Sequence, residues 1–209
     1  MNITKETEKY VVEHPSIKDA LKKGLINYSK LSRQIIQELS MKKGDFDAIL
    51  AALRRLEYKL KKKKTFEKQI KELLKNTKLE IKNKIMVCIL EKNVFYGNVL
   101  EIQKEIKRLK GELHIVEGVN ALTLITEQEF EKIINKYYRN KIIKKNKDLI
   151  EIILRSPESL EEVPGVVGYL YSLFAENNVN ILETLSCWTD TIFVIKEKDF
   201  EKTVKMLSF

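Results

Sequence analysis

Residues 16–64, and the stretch TFEKQIKELLKN that follows them, place apolar side chains at the three- and four-residue spacing of amphipathic helices. A short helix ends at Gly24, a second can be capped by Asn27 or Ser29, and a third follows Asp45. The apolar stripe of the second helix is Leu31, Ile35, Ile36 and Leu39, and that of the third is Phe46, Ile49, Leu50, Leu53, Leu56 and Leu60. A final amphipathic stretch has the stripe Phe66, Ile70, Leu73 and Leu74. The spacing therefore predicts a segment made of helices alone.

From Lys78 onward the periodicity becomes that of strands alternating with helices. KLEIKNKIMVCILEK alternates and then turns continuously apolar, which is typical of a strand with one or both faces buried. A helix, two strands and a second helix follow, and the same order begins again after Asp148. The two halves share this order but little sequence, which indicates a repeat of architecture.

The fold class predicted is α+β, with a basic helical segment at 1–77 followed by two ferredoxin-like βαββα(β) units at 78–145 and 146–209. A unit this small buries only about 60% of the surface that its unfolded chain exposes, so we expect the two sheets to pair side by side and the chain to form a homodimer. The chain ends at Phe209, where the second unit would still need a final strand. Its first strand must then be covered by the other unit or by another chain.

The segment VPGVVGYLYSLFAENNVNILETLS carries a combination of motifs. Glu162 stands one residue before Pro164-Gly165-Val166, a predicted helix follows, and Asn178-Val179-Asn180-Ile181 leads into a strand. In this combination the C-terminal unit resembles the ligand-binding region of ACT domains, most closely those of aspartokinases. The resemblance implies a regulatory domain that senses a small molecule, usually an amino acid. The first unit has only Gly97 and Val99 at the corresponding place, so we expect it to be a degenerate structural partner.

Physical chemistry gives Gly165 a compatible role. Glycine lets the backbone turn tightly and approach a ligand closely. A helix that begins there directs unpaired N–H groups and the positive end of its dipole into the same loop, which suits a carboxylate. The resemblance implies six candidate ligand contacts, which are Glu162, Val163, Gly165, Val166, Asn178 and Asn180. The alternative is a helix-start turn that binds nothing.

The positive charge of the chain is concentrated at its N-terminal end. The formal net charge is +9, and residues 1–78 contain 20 Lys and Arg against 10 Asp and Glu. Such asymmetry favours an anionic partner for this segment. INYSKLSRQIIQEL and FDAILAALRRLEYKL loosely resemble the positioning and recognition helices of a helix-turn-helix DNA-binding module. The resemblance implies nucleic-acid contacts from Arg54, Arg55, Lys59, Lys61, Lys62, Lys63 and Lys64. The alternative is a helical bundle for dimerisation or partner docking.

Several classes of chemistry are not indicated. No Gly-rich phosphate loop, HExxH or nucleophile elbow occurs, so we expect no catalytic residue, no metal, no cofactor and no enzyme activity. Cys88 and Cys187 lie in apolar, strand-like runs and are expected to be buried thiols. For Trp188 and Tyr169 the alternatives are lining a pocket and packing in the core, and the core is expected. The charged N-terminus does not resemble a signal peptide and no run is long enough for a membrane span, so the expectation is a cytoplasmic protein without a membrane partner.

Together these features predict an amino-acid-responsive transcription regulator, in which an effector changes the placement of DNA-contacting helices in a dimer. The alternative is a stand-alone regulatory subunit that docks on an amino-acid biosynthetic enzyme such as an aspartokinase. A structural dimer with an empty pocket is the third possibility.

Overall fold

The computed structural model describes residues 2–62 and 66–209. Contacts divide the chain into two compact units, residues 1–65 and 66–209, and each has a core of its own. Within the described ranges no helix has both the length and the apolar character that crossing a membrane requires.

The described residues of the first unit form four α-helices. They are α1 (Ile3–Glu13), α2 (Pro15–Lys23), α3 (Tyr28–Glu38) and α4 (Phe46–Lys61). Helix α4 packs against each of the other three, and its residues Ile49 and Leu53 are fully buried. The side chain of Asn27 caps α3 by accepting a hydrogen bond from the Lys30 amide at 3.0 Å, so the predicted cap is confirmed. The first unit is therefore a bundle built around α4.

The second unit combines five helices and six strands among the described residues. They are α5 (Glu67–Lys75), β1 (Lys78–Glu91), α6 (Tyr96–Arg108), β2 (Leu113–Glu117), β3 (Ala121–Glu127), α7 (Glu131–Tyr138), β4 (Ile142–Arg155), α8 (Val166–Glu176), β5 (Ile181–Cys187), β6 (Asp190–Lys196) and α9 (Phe200–Met206). The order strand, helix, strand, strand, helix occurs twice, as the sequence predicts.

All six strands form one antiparallel sheet in the order β2-β3-β1-β4-β6-β5. The two long strands β1 and β4 lie side by side at its centre. Each of them serves both halves of the sheet, because β3 pairs only with the C-terminal part of β1 and β6 pairs only with the C-terminal part of β4.

The pairing of β1 with β4 supplies the strand that the second half lacks. Residues 85–90 of β1 pair with 142–149 of β4, and residues 78–82 pair with 151–155. Register shifts near Lys84 and Asp148, whose φ values are 54° and 53°, mark the junction between the two pairings. Of the two ways expected to cover the first strand of the C-terminal half, the structure uses the other half of the same chain.

The predicted boundary between the two units, at 145/146, lies in the interior of a strand. Strand β4 runs from Ile142 to Arg155 without a break, because its first part completes the N-terminal half of the sheet and its second part begins the C-terminal half. The two halves are therefore joined through continuous backbone as well as through hydrogen bonds.

The helices pack on one face of the sheet over two cores. One core lies under α6 and α7, and the other lies under α5, α8 and α9. The sequence groups α5 with the basic segment, but in the structure its residues Ile70, Leu73 and Leu74 are buried in the second of these cores. The reason is the strongly amphipathic pattern of α5. Its apolar stripe is buried against the sheet face formed by β1 and β4, which α5 covers.

The opposite face of the sheet also buries apolar side chains, from β1, β3, β4 and β6. They are Ile85, Val87, Ile125, Leu149 and Val194. A charged group lies beside them: Glu151 is only 2% exposed, and His114 and Lys82 are its neighbours. The contact of His114 on the edge strand β2 with Glu151 on the central strand β4 requires the sheet to be strongly curled.

Candidate functional site

A tight bend at Gly165 begins helix α8. Gly165 has φ 95° and ψ 0°, a left-handed conformation that suits glycine, and no side chain caps the helix. The carbonyl of Gly165 accepts the first helical hydrogen bond, from the Tyr169 amide at 2.8 Å. The amides of the first turn therefore have no acceptor within the helix, and they point toward the bend. The helix begins at Val166, directly after the glycine.

A cleft of about 330 Å³ opens at this bend. Its lining residues are Leu160, Glu161, Val163, Gly165, Val166, Val167, Gly168, Ser186 and Trp188. The indole of Trp188 is 63% exposed, so the expectation that it packs in the core is wrong. It stands at the turn between β5 and β6 with a positive φ of 50°, which explains why the side chain leaves the sheet.

The cleft includes half of the ligand contacts that the sequence predicts. Val163, Gly165 and Val166 line it. Glu162 is exposed and does not, whereas the neighbouring carboxylate of Glu161 does. Residues Glu158–Glu162 form a short 3-10 turn, in which successive side chains point about 120° apart. This geometry directs Glu161, and not Glu162, toward the cleft.

Asn178 and Asn180 lie at the opposite end of α8. Asn178 has φ 52° and ends the helix, and the Val179 amide donates to the Phe174 carbonyl at 2.9 Å in a Schellman-type closure. Both asparagines line a second groove of about 660 Å³ together with Tyr171. A helix of 11 residues is about 16 Å long, so the structure does not bring the six predicted residues together in one chain.

Helix α5 approaches the bend from its inner side. A Cβ built on Gly165 would lie 3.5 Å from Cδ1 of Ile70, which is van der Waals contact. Ile70 is 7% exposed and belongs to the same core as Val166. Gly165 itself is exposed on the cleft side. The bend is therefore packed against Ile70 on one side and open to the cleft on the other.

In the N-terminal half, the loop before α6 is filled by the side chain of Phe95. Helix α6 begins at Tyr96, and a Cβ on Gly97 would collide with the aromatic ring of Phe95. Only the C-terminal half therefore presents an open bend of the predicted kind among the described residues.

The cations predicted to contact nucleic acid lie on α4 or just beyond it. Lys59 pairs with Glu8 of α1 at 2.9 Å, and the guanidinium of Arg55 lies 3.5 Å from the hydroxyl of Thr4. Lys61 pairs with Glu57 at 2.7 Å, and Lys62 stands 4.3 Å from the ring centroid of Tyr58. Arg54 is exposed, and Lys63 and Lys64 lie outside the described residues. Most of the described cations thus contact the protein itself.

Glu57 joins α4 to α3. Its carboxylate accepts a hydrogen bond from the hydroxyl of Tyr28. Burial and this carboxylate raise the pKa of Tyr28 to about 12, and the hydrogen bonds from Lys61 and Tyr28 lower the pKa of Glu57. These contacts fix α4 as an internal support of the bundle.

Comparison with known proteins gives a likeness of structure alone. No family model matches the sequence, and no curated protein does. The aspartate kinase of Clostridium acetobutylicum, described as an allosteric enzyme, superposes with a TM-score of 0.53 at 19% identity over 62% of this chain. The regulatory subunit of aspartate kinase from Thermus flavus superposes with a TM-score of 0.50 at 11% identity over 63% of this chain.

The extent of each match differs. The matched region is 33% of the Clostridium enzyme and 94% of the Thermus flavus subunit. The chain therefore spans one third of the first protein and nearly all of the second. At these identities the likeness concerns the fold alone, and it supports an ACT-like α+β fold for the part of the chain that it covers.

Proposed function

We propose that residues 66–209 form an effector-binding regulatory module of two ACT-like units and that an amino acid binds in the cleft at Gly165. The observation that carries the proposal is the open bend at the start of α8, with its uncapped amides facing a cleft of about 330 Å³. The fold likeness to an aspartate kinase regulatory subunit supports a regulatory role. The proposal includes no catalytic activity.

The cleft offers complementary groups for a zwitterion. The amides of Val166 and Val167 suit the carboxylate, because the positive end of the α8 dipole adds to their attraction. The carboxylate of Glu161 suits the ammonium group. The exposed indole of Trp188 provides an apolar wall for the side chain of the effector.

Helix α5 would carry the signal from the cleft. Ile70 packs on the inner side of the bend, so a change in the backbone at Gly165 alters the surface on which α5 rests. Helix α5 is also the element of this unit that stands next in sequence to the basic helices. For regulation, the effector must bind one position of α5 more tightly than another, since equal affinity shifts no population.

The test of the effector site is a panel of the common amino acids read by two signals. An effector at 100 times its dissociation constant adds about 2.7 kcal/mol to the free energy of unfolding. Trp188 is the single tryptophan of the chain, so its fluorescence reports directly on the cleft. We expect one amino acid to raise the melting temperature and to change this fluorescence.

Variants locate the site. Gly165→Asp places a carboxylate at the bend and should abolish both signals. Asn180→Ala alters the groove at the other end of α8 and should preserve them. Loss of the signals in Asn180→Ala alone would move the effector to the second groove, and a panel without any response would refute an amino-acid effector.

We further propose that the first unit binds DNA and that this binding is what the effector regulates. It is tested by an experiment of its own. Its support is the cation excess of residues 1–78. A protein that makes six to ten phosphate contacts loses about a thousandfold in affinity or more between 50 and 200 mM salt. A wild-type chain without measurable duplex affinity at 50 mM salt would refute DNA binding, and docking on an amino-acid biosynthetic enzyme would then be the role to test.

A further inference from the structure

Helices α2 and α3 are joined by a short turn that the sequence does not associate with nucleic acid. The turn spans residues 24–27. Gly24 has φ 72°, and the Leu25 amide donates to the Ala20 carbonyl at 2.9 Å, which ends α2. Asn27 caps α3 immediately afterwards. Two helices joined by three or four residues that include glycine are typical of helix-turn-helix modules.

We propose that α3, the second helix of this pair, is the helix that enters the major groove of double-stranded DNA, and that α4 supports it from behind. This inference rests on the proposed DNA binding and names its surface. It reverses the assignment from the sequence, in which α3 is the positioning helix and α4 the recognition helix.

The exposed face of α3 has the chemistry that reads base edges. Leu31, Ser32 and Ile35 are buried against the bundle. Lys30, Arg33 and Gln37 are exposed, and their spacing of three, four and seven residues places them on one stripe. Arginine and lysine pair with guanine, and glutamine pairs with adenine, in the major groove. The stripe therefore offers both charge and base discrimination.

One neighbouring residue of the stripe is already engaged. The amide nitrogen of Gln34 donates to Glu38 at 2.8 Å and to the hydroxyl of Tyr10 at 3.2 Å. These bonds hold the outer face of α3 against α1. Gln34 thus serves to orient the helix, and the stripe of Lys30, Arg33 and Gln37 is left for the partner.

A cationic rim continues from α3 toward the start of α4. Arg33 and Lys43 line a groove of about 670 Å³, and the guanidinium of Arg33 lies 5.7 Å from the ring centroid of Phe46. No carboxylate of the described residues forms an ion pair with Lys30, Arg33 or Lys43, in contrast with Lys59 and Lys61. Cations that are not engaged in ion pairs are complementary to phosphates, and duplex DNA carries one charge per about 1.7 Å of its axis.

Helix α4 is less suited to this position than α3, because it is the central helix of the bundle. It packs against α1, α2 and α3, and its residues Ile49, Leu53, Leu56 and Leu60 are buried. A helix enters the major groove with its side chains facing the bases, which requires a free face along its length. Both helices expose one face, but Lys59 and Lys61 of α4 pair with Glu8 and Glu57, whereas the exposed cations of α3 form no ion pair among the described residues.

The experiment compares two matched pairs of substitutions in the full chain. Binding of a labelled 30-base-pair duplex of random sequence is followed by fluorescence anisotropy from 50 to 200 mM salt. Lys30→Ala with Arg33→Ala removes two charges from α3, and Arg54→Ala with Arg55→Ala removes two charges from α4. We expect the α3 pair to lose at least tenfold in affinity and about two units of salt slope. The α4 pair should lose less than threefold.

A conservative variant separates charge from base contact. Arg33→Lys keeps the charge but not the forked geometry of the guanidinium, so it should retain the salt slope and lose sequence preference on a duplex selected from a random pool. All these positions are exposed, and the circular dichroism and melting temperature of each variant verify folding.

The outcomes distinguish this inference from the function on which it rests. Loss of affinity in the α4 pair with retention in the α3 pair would overturn the inference and leave DNA binding intact. Equal losses in both pairs would also overturn it, because they would indicate a diffuse cationic surface. Absence of duplex binding by the wild-type chain would overturn DNA binding itself, while the amino-acid panel would still test the cleft at Gly165.

Discussion

Nε2 of His114 lies 2.9 Å from Oε1 of Glu151, and Glu151 is only 2% exposed. Neither atom has another hydrogen-bond partner among the described residues. Lys82 stands 3.9 Å from the second carboxylate oxygen and also contacts Glu112. A curled sheet thus closes over a buried carboxylate whose nearest partner is a histidine.

This pair predicts a dependence of stability on pH. The carboxylate of Glu151 is the main cause that raises the pKa of His114 above its ordinary value, and burial opposes it. Because the folded-state pKa is raised, the protonated histidine stabilises the fold fully below the unfolded pKa of about 6.5, and this contribution is lost as pH rises through the folded-state value. Urea unfolding between pH 5.5 and 8.5 should show the decline.

His114→Gln should flatten that decline, and stability at low pH should fall toward its value at high pH. Glu151→Gln should flatten it as well, because the partner that raises the pKa is removed. A decline of unchanged steepness in both variants would show that the pair does not control the pH dependence.

Ile70→Ala tests the docking of α5 on the C-terminal half. The side chain is 7% exposed and packs in a core with Val166, so its truncation should lower the free energy of unfolding by about 2–4 kcal/mol. Ile143→Ala is the matched control, since Ile143 is 60% exposed and its truncation should change stability by at most about 0.5 kcal/mol. Equal effects of the two changes in urea titrations would mean that α5 does not rest on this core.

Two glycines of the cleft should respond oppositely to alanine. Gly165 has a φ of 95°, which strains any side chain, so Gly165→Ala should lower stability by about 1–3 kcal/mol. Gly168 lies in the first turn of α8, and an added Cβ would meet nothing within 4 Å, so Gly168→Ala should raise stability by about 0.5–1 kcal/mol. Thermal unfolding of the two variants measures the contrast, and a stabilising Gly165→Ala would contradict the left-handed bend.

The two cysteines should differ in reactivity. Burial raises the pKa of Cys88 to about 11, and its side chain is fully buried. Cys187 is exposed, which corrects the expectation that both thiols are buried. Titration with a thiol reagent at pH 8 should modify one thiol in the folded chain and two in denaturant. Cys187→Ser should leave none reactive in the folded chain, and a reactive Cys88 in that variant would contradict its burial.

Local pattern predicted the elements well. The spacing of apolar residues gave α2, α3 and α4 but missed α1, and the change of period at Lys78 marked the first strand. The repeated order of strands and helices is also as predicted, because each element needs only its own amphipathic pattern and its own ends. Gly24 and Asn27 were readable as a helix end and a helix start for the same reason.

The candidate site was predicted only in part. Gly165 was identified because its motif and its backbone requirement are local. Glu161, Ser186 and Trp188 complete the cleft, and no spacing in the sequence indicates that the turn between β5 and β6 comes to lie beside the start of α8. The separation of Asn178 from Gly165 could have been foreseen from the length of the helix alone.

What the sequence determined by itself is therefore the kind of each element, the repeat of architecture and the glycine at which α8 begins. The tertiary structure alone decided that β1 and β4 each pair in both halves of the sheet, that α5 covers the C-terminal core, and that α4 packs against all three other helices of the bundle. The physical reason is that an amphipathic pattern states how much of an element must be buried, whereas its partner is selected by competition among all the apolar faces of the chain.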